Sequence, residues 1–493
     1  LGRIFEGSQK LMSLITANTM HHFFWQSLLT EENCFQSTES FFEWFSHKKT
    51  HYHFSVQRIP FSSLSQWLFD ESTQNLRHSS GRFFSIEGIR VHTNFGPVHT
   101  WDQPIINQPE IGILGIITRM INGVLYFLMQ AKMEPGNVNL LQLSPTVQAT
   151  KSNFTQVHGG KLPHYLEYFI DRKKSRFLID VLQSEQGGRF LQKRNRNMIV
   201  LVDHDLEIHD DFCWLTLGQI KKLLQYDNFV NMDARSVLSC IPLPSSYTGL
   251  VDAQKTILDS ADINHYNHFS KSLCESLLCP EQQACYTLYE ILSWFTELKT
   301  KYQINVQRIP LKEVKGWKRT DTEICHEKYP FFSVIAVSVE AGTREVFSWT
   351  QPLLMEHQQG LLGFLTKKIN GVLHFLMQAK AEPGNRDGIE IAPTVSCSAA
   401  AFKLQRNDII PFLDFFLNAP PERIHCDTVQ SEEGGRFYHF LNRNMVIELD
   451  ESTPLELPEN YIWMTLGQII ELIKHGYMNI DTRTLCACLG LKR

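Results

Sequence analysis

Ile121-Asn122-Gly123-Val124-Leu125-Tyr126-Phe127-Leu128-Met129-Gln130-Ala131-Lys132-Met133-Glu134-Pro135-Gly136-Asn137 returns 248 residues later (369 − 121 = 248) as Ile369 through Asn385, altered only at Tyr126/His374 and Met133/Ala381. Chance does not produce such a match, and the correspondence spreads outward in both directions. Upstream, Val56-Gln57-Arg58-Ile59-Pro60 returns as Val306-Gln307-Arg308-Ile309-Pro310. Downstream, Ser144-Pro145-Thr146-Val147 answers to Ala392-Pro393-Thr394-Val395, and Gly187-Gly188-Arg189-Phe190 to Gly434-Gly435-Arg436-Phe437. Trp214 with Thr216-Leu217-Gly218-Gln219 answers to Trp463 with Thr465-Leu466-Gly467-Gln468. Solenoid repeats run at roughly 20–50 residues, so a period this long is a duplicated domain. Two units follow, 1–245 and 246–493, joined through the Pro/Ser-rich stretch Ile241 to Thr248.

Each unit reads as an α/β chain, an α+β sandwich in which a mixed sheet is flanked by helices. Phe41 to Phe45 belongs to an aromatic-rich helix, and Phe54 to Ile59 alternates as a strand should until Pro60 ends it. Phe83 to Val91 reads as a further strand. Val124 to Lys132 is a nearly continuous apolar run stopped by Pro135-Gly136-Asn137, the pattern of a central strand before a turn. Thr216-x-x-Gln219 and Thr465-x-x-Gln468 are capping boxes, and Asp233 and Asp481 are expected to cap the last helix of each unit.

The 493 residues are 43% hydrophobic and 20% charged, with 33 Phe, which is ample for a packed core. A formal charge of −5 argues against a general nucleic-acid or anionic-membrane binder, so local arginines and backbone amides must meet any anion. The 11 cysteines include no Cys-x-x-Cys pair, which points away from a disulfide framework or a zinc site. Leu1 to Met20 lacks a basic segment followed by an apolar core, and the most apolar stretch, Ile105 to Met129, is broken by Gln108, Glu110, Arg119 and Asn122. Neither a signal peptide nor a membrane span is expected, and a reducing cytoplasm is the natural setting. His21-His22 and the trio His47, His51, His53 lack carboxylates at ligand spacing, and neither a Gly-x-Gly-x-x-Gly nor a Walker loop occurs; no metal or dinucleotide is called for.

Three clusters carry chemistry. Gln130, Lys132 and Glu134 share one face of a strand end, as do Gln378, Lys380 and Glu382. An amide, an ammonium and a carboxylate closing an apolar strand are costly unless they meet each other or a ligand. The second cluster is Glu185 with Gly187-Gly188-Arg189, matched by Glu432-Glu433-Gly434-Gly435-Arg436 and followed there by Tyr438-His439. Paired glycines let backbone amides approach a phosphate, and the arginine can grip it; a plain hairpin turn with a solvated arginine is the alternative. The third, Gln148 to Thr155 with His158-Gly159-Gly160, is a polar loop suited to sugar hydroxyls; it includes Thr150, Ser152 and Asn153. The second unit has Ser396-Cys397-Ser398-Ala399-Ala400 there, which suggests that the two pockets no longer do the same job; genetic drift in a loop is the alternative.

Met129-Gln130-Ala131-Lys132-x-Glu134-Pro135-Gly136-Asn137, Gln142-Leu143-Ser144-Pro145-Thr146-Val147-Gln148-Ala149-Thr150 and Ser184-Glu185-Gln186-Gly187 together resemble the NDP-hexose 2,3-dehydratase family over nearly the whole chain. The resemblance implies two tandem Nudix-like domains, a homodimer, and dTDP-4-keto-6-deoxy-D-glucose as substrate. It further implies loss of the C2 hydroxyl by proton abstraction at C3 and β-elimination, with no cofactor, and a downstream NADPH-dependent 3-ketoreductase. The metal-binding Nudix box is missing, which argues against pyrophosphate hydrolysis; a Nudix-like nucleotide-sugar hydrolase and a non-catalytic nucleotide-sugar binder are the competing readings. From the clusters above, Lys132/Lys380 or Arg189/Arg436 are expected to supply positive charge. Glu134/Glu382, Glu185/Glu432, Glu433 or the Tyr438-His439 pair are expected to supply acid and base. Arg58/Arg308, Trp101/Trp349 and Gln130/Gln378 complete the expected substrate contacts. Which half is active stays open in the sequence.

Overall fold

The computed structural model describes residues 17–32, 34–35, 37–150, 162–245, 265–342, 347–398 and 410–492. The duplicated stretch opens on a tight hairpin. Asn122 and Gly123 both take positive φ (50° and 84°), as do Asn370 and Gly371 (52° and 80°), the backbone a two-residue turn between twisted antiparallel strands requires. From that hairpin grows a mixed sheet of seven strands in each unit. In the first unit the order runs Arg176–Ser184, Arg194–Val202, Gly112–Ile121, Val124–Met133, Phe212–Thr216, with Leu141–Ser144 and Val147–Ala149 as side branches. In each large sheet one pair of strands runs parallel, Arg194–Val202 with Gly112–Ile121 and Leu441–Leu449 with Gly360–Ile369.

Alternation along Val124–Met133 sends Leu125, Phe127, Met129, Ala131 and Met133 into a core that also holds Phe364, Phe375, Met377 and Ala379 of the second unit. The two large sheets therefore back onto one shared core, sealed by helices from both units. The opposite face, with Tyr126 and Leu128, packs a smaller cluster of the first unit alone and leaves its polar end, Lys132, for the site described below. Thr38–His51 is the expected aromatic helix, and both capping boxes are formed. Phe83 precedes its strand, which runs Ser85–Thr93, because Phe83 sits at positive φ (74°). No helix among the described residues is long and apolar enough to cross a membrane. The proposed boundary at 245/246 adjoins 246–264, which lie outside the described residues.

Beyond the shared core, backbone pairing binds the units together in two ways. First, the repeated Val-Gln-Arg-Ile segments are exchanged. Phe54–Ile59 pairs antiparallel with Phe332–Ala341 of the second unit, and Ile304–Ile309 pairs with Ser85–Thr93 of the first. Second, the Glu-Pro-Gly-Asn turn of each unit docks on the Gly-Gly turn of the other. Gly136 N donates to Gly434 O (2.7 Å) and His439 N to Gly136 O (2.7 Å), mirrored by Gly384 N to Gly187 O (2.6 Å) and Gln192 N to Gly384 O (2.8 Å).

At the centre the helices Met232–Ser239 and Ile480–Cys488 pack together and bury Arg235 and Arg483 completely. Each guanidinium reaches across to the other unit, Arg235 Nη2 to Ser431 O (2.6 Å) and Arg483 Nη2 to Ser184 O. Beside Arg483, Glu390 accepts from Ser184 Oγ (2.8 Å), and burial pushes its carboxyl up to about 7. The matching first-unit residue is Gln142 (142 + 248 = 390), which shares hydrogen bonds with Ser431 Oγ. Because Glu390's folded pKa is raised, its contribution to stability is fully present below the unfolded value near 4.5 and is lost as pH rises through about 7. Glu390→Gln is therefore expected to raise stability at pH 8 by on the order of 1–3 kcal/mol and to change it little at pH 5. Urea denaturation at the two pH values checks this; an equal shift at both would count against it.

Candidate active site

Above the first unit's sheet, on the face away from the shared core, lies a cavity of about 560 Å³ whose walls come from both units. Strand ends supply Lys132, Glu134, Glu185, Lys193 and Asn195, the edge strand supplies Gln148, and the second unit closes the opposite wall with Trp349, Gln351, Glu433 and Arg436. Asp233 rises into it from the start of helix Met232–Ser239. Asp233 and Asp481 are not the caps expected of them. Asn231 and Asn479 are, their side chains accepting from Ala234 N and Thr482 N (2.9 Å each). With the cap position filled by asparagine, the aspartate two residues on is released toward the cavity.

The site gathers four carboxylates, Glu134, Glu185, Asp233 and Glu433, with three cations, Lys132, Lys193 and Arg436. Burial, followed by Glu433, Glu185 and Glu134, holds Asp233 well above the ordinary carboxylate range, with Lys132 pulling the other way. Burial pushes Glu433 up to about 7 against the pull of Arg436, and raises Glu185 against Arg483 and Lys193. Lys193 is brought down to about 8 by burial. Each glutamate has one oxygen engaged. Glu134 accepts from Gln148 Nε2 (2.7 Å), Glu185 from Asn195 Nδ2 (2.6 Å) and Glu433 from Gly435 N (2.9 Å). The other oxygen of each, and Asp233 Oδ1, are buried with no hydrogen-bond partner among the described residues. Buried polar atoms left unsatisfied are rare, and several converging on one cavity mark a place where a polar ligand completes the network.

The matching residues of the second unit satisfy one another. Lys380 lies 2.9 Å from Glu382 and donates to Ser396 Oγ (2.8 Å), which donates to Asp481 (2.5 Å). Arg189 is ion-paired with Glu356 and lies over the Phe332 ring, whereas the first unit has Gln108 at the position of Glu356 (108 + 248 = 356). Phe440 stands where the first unit has Lys193 (193 + 247 = 440). Glu432 is buried, accepts from Asn442 Nδ2 (2.6 Å) and Gln186, and is pushed up to about 7 by burial; it does not line the cavity.

Other expected site residues fall elsewhere. Gly187 and Gly434 approach the opposite unit's Asn385 and Asn137 rather than an open anion cradle; a side chain at either would strike those amides, which is why glycine stands there. Gly188 O accepts from Gln103 Nε2 (3.0 Å), itself bonded to Trp101 Nε1, while Gly435 O accepts from Gln351 Nε2 (2.8 Å), bonded to Trp349 Nε1. Trp349, Gly435 and Thr150 line the cavity; Trp101, Gln130 and Gln378 do not, Gln378 donating instead to Pro393 O (2.9 Å). Tyr438 and His439 stack on each other (4.0 Å) outside the cavity lining, and burial lowers His439. Arg58 is exposed on its exchanged strand, and Arg308 is paired with Glu87 (2.6 Å). Ser152 and Asn153 lie outside the described residues. Lys193, Asp233, Asn195 and the aromatic rim of Trp67, His78, Phe83 and Phe84 were not singled out as site residues from sequence. The Lys193/Phe440 and Gln108/Glu356 differences between otherwise matching repeats were the available signal.

A family model described as NDP-hexose 2,3-dehydratase matches residues 38–241 and again 288–489. The dTDP-4-dehydro-6-deoxy-alpha-D-glucopyranose 2,3-dehydratase of Saccharopolyspora spinosa is 48% identical over 468 residues, 94% of each chain. Those of Amycolatopsis orientalis (44%; 94% of this chain, 92% of the relative) and Streptomyces violaceoruber (40%; 92% and 97%) are similar along the same length. Two matches to one family model, falling on the two structural units and together spanning most of the residues, show that the chain belongs to the NDP-hexose 2,3-dehydratase family.

Proposed function

We propose that this chain is a hydro-lyase that removes the C2 hydroxyl of dTDP-4-keto-6-deoxy-D-glucose, and that it does so in the cavity over the first unit's sheet. The observation that carries the choice of cavity is the set of unsatisfied carboxylate oxygens on Glu134, Glu185, Asp233 and Glu433, set against the self-paired Lys380–Ser396–Asp481 group in the second unit. Trp67, His78, Phe83 and Trp349 form an aromatic end suited to the base, and Arg436 offers its guanidinium to the diphosphate. The sugar then occupies the end lined by Lys132, Glu134 and Asp233.

The ketone at C4 acidifies the C3 hydrogen. Glu134, held by Gln148 and 4.0 Å from Lys132, is the base that removes it. The electron pair moves onto the C4 oxygen, where the Lys132 ammonium stabilises it; a preorganised donor of this kind lowers such barriers by roughly 3–4 kcal/mol. The pair returns as the C2–O bond breaks, and Asp233, whose carboxyl burial and acidic neighbours bias toward the protonated form, gives its proton to the departing hydroxyl. Water leaves, and the enol tautomerises to a 3,4-diketo-2,6-dideoxy sugar by taking a proton at C2. No electrons are gained or lost overall, so the step calls for no redox partner. The diketone is the substrate of an NADPH-dependent 3-ketoreductase, and the chain works as a cytoplasmic homodimer of two Nudix-like units per subunit; these points rest on the family resemblance.

Incubation with dTDP-4-keto-6-deoxyglucose in D₂O, with a 3-ketoreductase and NADPH to trap the product, is expected to give loss of one water and deuterium at C2. Recovery of the intact sugar would reject the proposal.

A further inference from the structure

We infer that Gln148 is a positioning residue that keeps the first unit's site open, and that serine at the matching position, Ser396 (148 + 248 = 396), is what lets the second unit's site close on itself. The inference rests on the reading of the first cavity as the site of dehydration and deepens it.

A directed chain of hydrogen bonds runs from helix to base. Ala234 N donates to Asn231 Oδ1 (2.9 Å), Asn231 Nδ2 donates to Gln148 Oε1 (3.3 Å), and Gln148 Nε2 donates to Glu134 Oε1 (2.7 Å). The backbone N–H at the helix start fixes the first amide, which fixes the second, so the glutamate receives a donor from a chain with only one polarity. Glu134 is thereby held 4.0 Å from Lys132, and Asp233 Oδ1 keeps its unsatisfied aim into the cavity.

In the second unit the chain differs at Ser396, for Gln148, and at Thr482, for Ala234, where the backbone N–H does the same work; the outcome nevertheless differs. Asn479 again caps its helix, but with no glutamine within reach its Nδ2 turns to Asp481 Oδ2 (3.1 Å). Ser396, shorter and itself a donor, bonds the same aspartate oxygen (2.5 Å) and accepts from Lys380 (2.8 Å), which draws Lys380 to within 2.9 Å of Glu382. Ammonium, hydroxyl and two carboxylates are then bonded to one another. Both residues accept on one side and donate on the other; side-chain length, which decides whether the donor reaches the glutamate or the aspartate, separates the two arrangements.

Gln148→Met, nearly isosteric but without the amide, and Gln148→Ser, which copies the second unit, test this. Asp233 is faced by Glu433, Glu185, Glu134 and Lys132, so loosening Glu134 and drawing Lys132 onto Asp233 lowers the pH at which Asp233 gives up its proton. Both variants are expected to lose kcat for dTDP-4-keto-6-deoxyglucose, about tenfold for Met and about a hundredfold for Ser, with KM within about threefold. The alkaline limb of the kcat profile is expected to move to lower pH. If the serine variant does not fold, the methionine variant alone decides. A kcat within twofold of the unsubstituted protein, a loss confined to KM, or a lower kcat with an unmoved alkaline limb would each overturn the inference. The unsubstituted protein is assayed alongside: its failure to release water would instead reject the reading of the site.

Discussion

Asp233→Asn is expected to lower kcat about 10²–10⁴-fold, the range typical of removing a positioned general acid, while leaving KM nearly unchanged. Asparagine keeps the shape of aspartate at the start of the helix and can still donate an N–H to the substrate, so binding survives. It cannot hand over a proton, and the C2 hydroxyl must then leave unassisted. The sign of the pH dependence follows from the raised pKa of Asp233: the acid works while protonated, and kcat falls as pH rises through its folded value. In the variant that descending limb should vanish, which a structural defect would not bring about. The same change at Asp481, already bonded by Ser396 and Asn479 in the closed site, is expected to leave kcat within about twofold. Rate profiles from roughly pH 5 to 9 on both variants make the comparison. An Asp233 variant that retains a third or more of the original kcat would remove Asp233 from the chemistry and return the acid to Glu433 or Glu185.

The duplication was legible because it is written in the covalent chain, and so were the central strand Val124–Met133 and both capping boxes, since each depends on residues close in sequence. What the sequence did not disclose was where generic groups find their partners. A strand's N–H and C=O groups are the same whichever sheet they join, so Phe54–Ile59 could be recognised as a strand without any sign that it lies against Phe332–Ala341. Asp233 was misread for a related reason. Asn231 and Asp233 both have the chemistry of a cap, and only the helix start decides which one caps and which one is left to face the cavity. Lys193 carried no motif at all; its meaning appears when Glu185, Asn195 and the second unit's Arg436 come together around it.

Gly136→Ala is expected to cost more than about 4 kcal/mol or to prevent folding, well beyond the usual effect of a single exposed-turn substitution. Gly136 needs no unusual backbone angle; it needs the absence of a side chain. A Cβ there would fall on the Phe437 carbonyl oxygen and crowd that of Gly434, both backbone atoms that cannot swing aside as the end of a long side chain could. The same holds for Gly384 against Phe190 and Gly187. By contrast, Gly123 has nothing near its would-be Cβ and only a positive φ (84°) to forfeit, so Gly123→Ala is expected to cost about 1 kcal/mol. Urea midpoints for the three variants give the order directly, and a Gly136 variant within about 1 kcal/mol of the original would show that the inter-unit turn is looser than this packing requires. The consequence reaches the chemistry. Gly136 is two residues from Glu134, and its N–H is bonded to Gly434 O, next to Glu433, so the contact that joins the units also sets one carboxylate of each unit into the same cavity. A variant that folds with this turn displaced is therefore expected to lose turnover out of proportion to its loss of stability.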